Sequence, residues 1–196
     1  AEEDAEEMRR RLWGAMESRG LTPSERREVA SRVDVLPLAG EQCALTKDGN
    51  DNDVRTTFAD ALEVALRERV ATDDDGWAVL LLDPVSRFAG PDAEKDNSAA
   101  TRFIQELESL TKLPGSPSIL AAVHTNKGGS KEHGYKQATD ASLVRGSSAF
   151  VDGARWVAGL SLAKADDGTA ETDVLWLGVA KSNYARRPER PTLLRR

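Results

Sequence analysis

Two apolar runs end in groups that can do chemistry. Trp77-Ala78-Val79-Leu80-Leu81-Leu82 leads into Asp83, and Ser118-Ile119-Leu120-Ala121-Ala122-Val123 leads into His124. Short continuous apolar runs bounded by turn residues read as buried strands. In an open α/β sheet covered on both faces, ligands collect where the strands end, at their carboxyl edge. An acid at that edge can hold Mg²⁺ and a nucleotide; a carboxylate that caps a helix or bonds a loop is the alternative. A third group follows His124, where residues 125–139 carry Lys127, Lys131 and Lys136 among Gly128, Gly129, Gly134 and Tyr135. Cations that track a backbone, with an occasional aromatic, are what single-stranded DNA binding requires. A merely solvated segment has the same composition. Arg87 and Lys95, in the loop after Asp83, could join that surface, whereas His133 reads as an exposed loop residue.

The elements that must position these groups follow from periodicity and turn chemistry. Met8, Leu12, Trp13 and Met16 form one stripe of a helix over 4–19 that Gly20 ends. Thr22-Pro23-Ser24-Glu25 predicts an N-cap, a proline at the first helical position and a reciprocating Glu, hence a second helix to about residue 32. A strand is expected at 33–38, then a Gly/Asn/Asp-rich loop over 39–53 with a short strand at 43–46. Helical spacing returns over 54–70, and a turn at 72–76 precedes the Asp83 strand. A helix over 98–113 turns Phe103, Ile104, Leu107 and Leu110 inward, and Pro114-Gly115-Ser116-Pro117 stops it. After the His124 strand, a helix is expected within 140–153 around Leu143, Phe150 and Val151. Alternating strands over 155–164 and 172–181, turning at 166–168, close the chain. Strand, helix, strand, helix, strand in this order predicts an α/β sheet with a parallel centre and an antiparallel hairpin.

Composition bounds the class. The 196 residues suit one domain with a real core, and 31% charged with 39% hydrophobic residues is the balance of a folded soluble chain. A net charge of −6 argues against a wholly basic nucleic-acid coat but not against a local basic groove. The single Cys43 excludes an internal disulfide or a cysteine-built metal site and points to a reducing cytoplasm. No run reaches the roughly eighteen apolar residues that span a bilayer. The acidic Ala1-Glu2-Glu3 start is no signal peptide, and without an initiator Met the chain reads as a fragment or a processed product.

The set of motifs carries more than any one of them. Ala1-Glu2-Glu3 runs into Arg9-Arg10-Arg11-Leu12. It is followed by Leu80-Leu81-Leu82-Asp83-Pro84-Val85-Ser86-Arg87-Phe88 and then by Val123-His124-Thr125-Asn126-Lys127-Gly128. Arg145-Gly146-Ser147-Ser148 through Arg155-Trp156, and Val179-Ala180-Lys181-Ser182-Asn183-Tyr184, complete the series. This order resembles the RecA-like ATPases of the plasmid replicative helicase RepA type, ring-forming hexameric motors, over nearly the whole chain. The resemblance implies one RecA-like ATPase domain over 1–196, with a mostly parallel central sheet flanked by helices and a C-terminal antiparallel hairpin.

It also implies roles. Asp83 matches the Walker B aspartate that orients Mg²⁺ through water beside ATP. Glu2 matches the glutamate that polarises attacking water, with solvated terminal charge as its alternative. His124 matches a γ-phosphate switch that signals to the DNA loop behind it; a histidine satisfied by local hydrogen bonds is the other reading. Arg155 matches an arginine finger offered to a neighbour's ATP, as against a surface ion pair. Lys181 matches a second basic group at that nucleotide, as against a snorkelling lysine. Arg145 opens its turn and is expected to order it. The family's DNA loops line the ring's channel, which places Lys127, Lys131, Lys136 and Arg87 on single-stranded DNA.

One departure stands out. No Gly-x-x-x-x-Gly-Lys-Ser/Thr occurs in the 196 residues, and Asn126-Lys127-Gly128-Gly129-Ser130 has its lysine ahead of the glycines. The expectation is an N-terminally truncated domain that binds ATP poorly alone. Besides a helicase subunit, the residues allow a non-catalytic RecA-like interaction module or a RecA-like ATPase regulating a mobile element.

Overall fold

The computed structural model of the chain describes residues 4–47, 55–70, 76–126, 135–164 and 170–195. Most of the expected turn at 72–76 and the whole of that at 166–168 lie outside them. Helix α1 (Ala5–Ser18) begins where Asp4 accepts a hydrogen bond from Glu7 N and ends at Gly20, whose φ of 70° no helix continues through. Helix α2 (Pro23–Ser31) carries the full capping box between Thr22 and Glu25, as its sequence predicts. Arg26 stacks over the Trp13 ring and joins the two helices.

Residues 33–38 form no strand. Val33 and Leu36 are exposed, Pro37 lacks a donor, and no neighbouring strand pairs with the segment among the described residues. Its Asp34 instead bonds Arg69 of α3 (Thr57–Val70). The expected strand at 43–46 is reduced to an isolated bridge between Thr46 and Arg55. That segment threads through the core by single bonds, Leu45 N to Phe88 O at 2.7 Å and Thr56 N to Leu45 O at 3.1 Å. Thr56 Oγ1 caps α3 by accepting from Ala59 N.

Strands β1 (Val79–Leu82) and β2 (Ser118–Ala121) pair in parallel, Val79 opposite Ser118 and Leu82 opposite Ala121. Helix α5 (Asn97–Leu110), capped by Asp96, buries Phe103, Leu107 and Leu110 in the core that Leu82, Val85, Phe88, Leu45 and Cys43 complete. Arg55 fastens α3 to α5, donating to Glu63 of α3 and lying 2.9 Å from Glu106 of α5. Burial pushes the Glu106 carboxyl upward, against the pull of that guanidinium. At the amino ends of the strands two left-handed glycines interlock. Gly76 has φ 68° and Gly115 φ 88°, and a Cβ on Gly76 would lie 2.4 Å from Gly115 N.

The strands are not covered on both faces, contrary to expectation. Leu80 and Ile119 pack on the core, but Leu81 is 61% and Leu120 51% exposed, because among the described residues helices lie on one side only. Nor is parallel pairing the greater part. The other sheet is antiparallel and three-stranded: β3 (Trp156–Lys164), β4 (Ala170–Ser182) and β5 (Thr192–Arg195), the last unforeseen in the sequence. Two short helices precede it, α6 (Tyr135–Thr139) and α7 (Ser148–Gly153), with a 3₁₀ turn at Ala141–Leu143 between them. The continuous helix expected over 140–153 breaks at Gly146, whose φ of 107° is outside the helical region and whose Cβ would strike the Phe150 ring at 2.8 Å.

Candidate functional site

Because β1 and β2 are parallel and in register, Asp83 and His124 emerge at the same edge. The ladder runs one step further, with Ala122 N donating to Leu82 O (2.9 Å) and Val85 N to Ala122 O (2.8 Å), so the strand ends are held together as they leave the sheet. Short helix α4 (Val85–Phe88) then turns inward on Val85 and Phe88. Asp83 and His124 are both exposed. A hollow of about 10 Å³ lies at this edge, walled by Val85, Ser86, Glu94, Val123, His124 and Arg145 over the Phe150 ring. Asp83 stands at the same edge but outside those walls.

The residues after His124 are tied to a segment far along the chain. Arg145 N donates to His124 O, Asn126 N to Leu143 O, and Asn126 Nδ2 to Ser142 O, while Thr125 bridges to Val144. The Arg145 guanidinium grips Glu94 with two nitrogens at 3.1 and 3.0 Å. Arg145 therefore orders the turn it opens. Gly146 makes that turn, and the buried Ser147 caps α7 by accepting from Ala149 N. Phe150 of α7 meets Phe103 of α5 edge to face at 6.0 Å. One network thus joins the loops after β1 and after β2 to the core helix.

Arg155 and Lys181 sit apart from this hollow, where β3 begins and β4 ends. The Arg155 guanidinium lies 5.8 Å from the Tyr184 ring centroid and donates to the Tyr184 hydroxyl. Lys181 Nζ donates to Val151 O (2.9 Å) and Asp152 O (2.8 Å), carbonyls of the last turn of α7. A lysine there complements the helix C-terminus, and two of its three donors are engaged.

Arg87 is exposed on α4 and Lys136 on α6. Helix α6 is seated on the antiparallel sheet by a pair of facing glycines: a Cβ on Gly159 would come 2.6 Å from Ala138 O, and one on Gly178 2.7 Å from Thr139 Cγ2. Glu2, Glu3, Lys127, Lys131 and His133 lie outside the described residues. Sequence reasoning missed Glu94, which stands in the mixed run Asp92-Ala93-Glu94-Lys95-Asp96, and Tyr184 as the partner of Arg155. Neither pairing had a signal, since each joins residues far apart in the chain.

As a site for Mg²⁺ and nucleotide, the two halves of the requirement fare differently. Among the described residues no three His, Cys, Asp or Glu side chains gather to cage a metal. Mg²⁺ needs no such cage, being held by one or two carboxylates, water and phosphate oxygens, and the exposed Asp83 suits that demand. The hollow beside His124 has room for about one water molecule and offers no cradle for a triphosphate. No helix among the described residues is long and apolar enough to cross a membrane.

A family model described as AAA domain matches residues 1–130, most of the chain and both parallel strands. Comparison with curated proteins returns no match.

Proposed function

This chain belongs to the AAA domain family, and on that premise we propose that it is an ATP-hydrolysing subunit of a hexameric ring that moves along single-stranded DNA and unwinds duplex. The family's fold is that of the P-loop, RecA-like ATPases, which use nucleotide with Mg²⁺. One observation carries the finer reading: Asp83 and His124 leave adjacent parallel strands at one edge, and the backbone behind His124 is bonded to the segment that follows α6 and Lys136. Bound Mg²⁺ would neutralise charge developing on the transferred phosphoryl group. Asp83 would hold that ion's waters. His124 would donate to a terminal phosphate and pass the loss of that contact, through the bonds at 124–126, toward the DNA loop.

In the same reading Glu2 orients water, and Lys127, Lys131, Lys136 and Arg87 line the DNA path. Arg155, exposed at the start of β3, is in this reading the finger offered to a neighbouring subunit's nucleotide. Lys181 keeps one donor free of α7 for the same neighbour. The test is ATP hydrolysis, with and without single-stranded DNA, by the chain expressed together with any residues encoded ahead of Ala1. Asp83→Ala is expected to abolish turnover with an unchanged circular dichroism spectrum; undiminished turnover removes the Mg²⁺ assignment. Arg155→Ala subunits mixed into the wild type are expected to suppress activity more than in proportion to their share.

A further inference from the structure

Charge is distributed very unevenly along this chain. Residues 181–196 contain six cations, Lys181, Arg186, Arg187, Arg190, Arg195 and Arg196, and one acid, Glu189, whereas the whole chain carries −6, so the preceding 180 residues carry −11. The structure makes this basic stretch a surface. Every residue from Asn183 to Arg190 is exposed, in a segment that leaves the end of β4 and returns as β5. Pro188 and Pro191 restrict its backbone, so less freedom is lost when a ligand lies along it.

Its cations are unequally engaged. Arg187 donates to Ala180 O and fixes the segment to β4, and Arg186 pairs with Glu189, two side chains that are largely solvated. Exposed pairs of that kind contribute little and exchange readily for a stronger anion. Among the described residues Arg190 makes no such bond. Beside them Tyr184 is 76% exposed, and Arg155 sits over its ring while bonding its hydroxyl. Asn183 N also donates to Arg155 O, so the ring is held against the start of β3 with most of its surface open. A fixed aromatic plane next to solvated guanidiniums matches a ligand that repeats phosphate and π-face, which is a single strand of nucleic acid. A bilayer would want apolar side chains to insert, and the segment between Tyr184 and Pro191 offers only Ala185 and Pro188, the exposed Trp156, Leu193 and Leu194 lying beyond it on β3 and β5.

We propose that residues 183–190, with Arg155 bracing Tyr184, form a binding surface for single-stranded nucleic acid, in which Arg186 and Arg190 contact backbone phosphates and a base stacks on Tyr184. It uses residues other than Lys127, Lys131, Lys136 and Arg87 and requires no nucleotide hydrolysis.

The experiment is fluorescence anisotropy of the full chain with a labelled oligothymidylate, without ATP, over a salt series. Arg186→Ala combined with Arg190→Ala is expected to reduce the slope of log affinity against log salt by about 1.4, the loss of two phosphate contacts. Tyr184→Ala is expected to weaken binding about tenfold with the slope unchanged, and Tyr184→Phe, which keeps the ring, to restore it. All these positions are exposed, and thermal melts will verify that the variants fold. Wild-type affinity and slope in the double-arginine variant overturn the proposal. So does failure of the unaltered chain to bind the oligonucleotide, or binding only to phosphatidylserine vesicles. Lys136→Ala separates the two surfaces. If it alone weakens binding, the path of the proposed function stands and this surface falls; if the arginine and tyrosine variants weaken it and Lys136→Ala does not, the reverse holds.

Discussion

The parallel unit and the antiparallel sheet are held together by different means. Around β1 and β2, Phe103, Leu45, Leu110, Leu113 and Pro117 are fully buried, so that unit rests on a core of large side chains. The sheet of β3, β4 and β5 has none of these. Among its described side chains the buried positions are small, Ala163, Ser161 and Ala180 with Gly178 and Val174, and Trp156, Leu160, Leu162, Leu193 and Leu194 stand exposed. Backbone pairing and the close seat of α6 over Gly159 and Gly178 do there what side-chain volume does in the parallel unit. The segment 142–147 bridges the two, so residues 124–126 are tied to the parallel core, while Lys136 depends on the glycine seat.

Substitutions can break that contrast in graded steps. Phe103→Ala is expected to have the largest effect, about 3–5 kcal/mol of stability lost in urea unfolding, because its ring fills the core with 0% exposure. Gly178→Val follows, at about 1–3 kcal/mol. Its side chain meets the Ala138 carbonyl and Thr139 Cγ2, which cannot both retreat, so α6 lifts. Hydrogen exchange should accelerate in 135–139 and in β3 and β4 while α5 stays protected. Equal loss of protection in α5 would show that the two regions unfold as one. Leu81→Ala is the smallest, within about 0.5 kcal/mol in a thermal or urea melt, since the side chain faces solvent. A cost of about 2 kcal/mol or more would show that this face is covered in solution.

What the sequence disclosed divides along the same line. Thr22-Pro23-Ser24-Glu25 could be read as a capping box because its bonds close within four residues. The inward face of α5 could be read because Phe103, Leu107 and Leu110 repeat at helical spacing. Asp83 and His124 could be placed at one edge because parallel strands of equal polarity must end together. Residues 33–38 misled, since the apolar Val33, Val35, Leu36 and Leu38 describe a strand only where a partner strand exists. Strand β5 escaped notice because Leu193 and Leu194 lie between prolines and arginines, and its pairing to β4 is a tertiary fact. The grip of Arg145 on Glu94 spans 51 residues and leaves no local trace. Lys181 illustrates a further limit: its position at a strand end was legible, but its engagement with the carbonyls of α7 was not.

The interlocked turns at Gly76 and Gly115 bear on how the site edge can move. Backbone meets backbone there with no side chain to compress, so the strands have a fixed pivot at their amino ends, while at the opposite ends a few hydrogen bonds join them. Any separation of β1 from β2 must then open like tweezers. The displacement is smallest at Ser118 and greatest at Asp83 and His124, and a small angular change is delivered as translation to the loops that follow them.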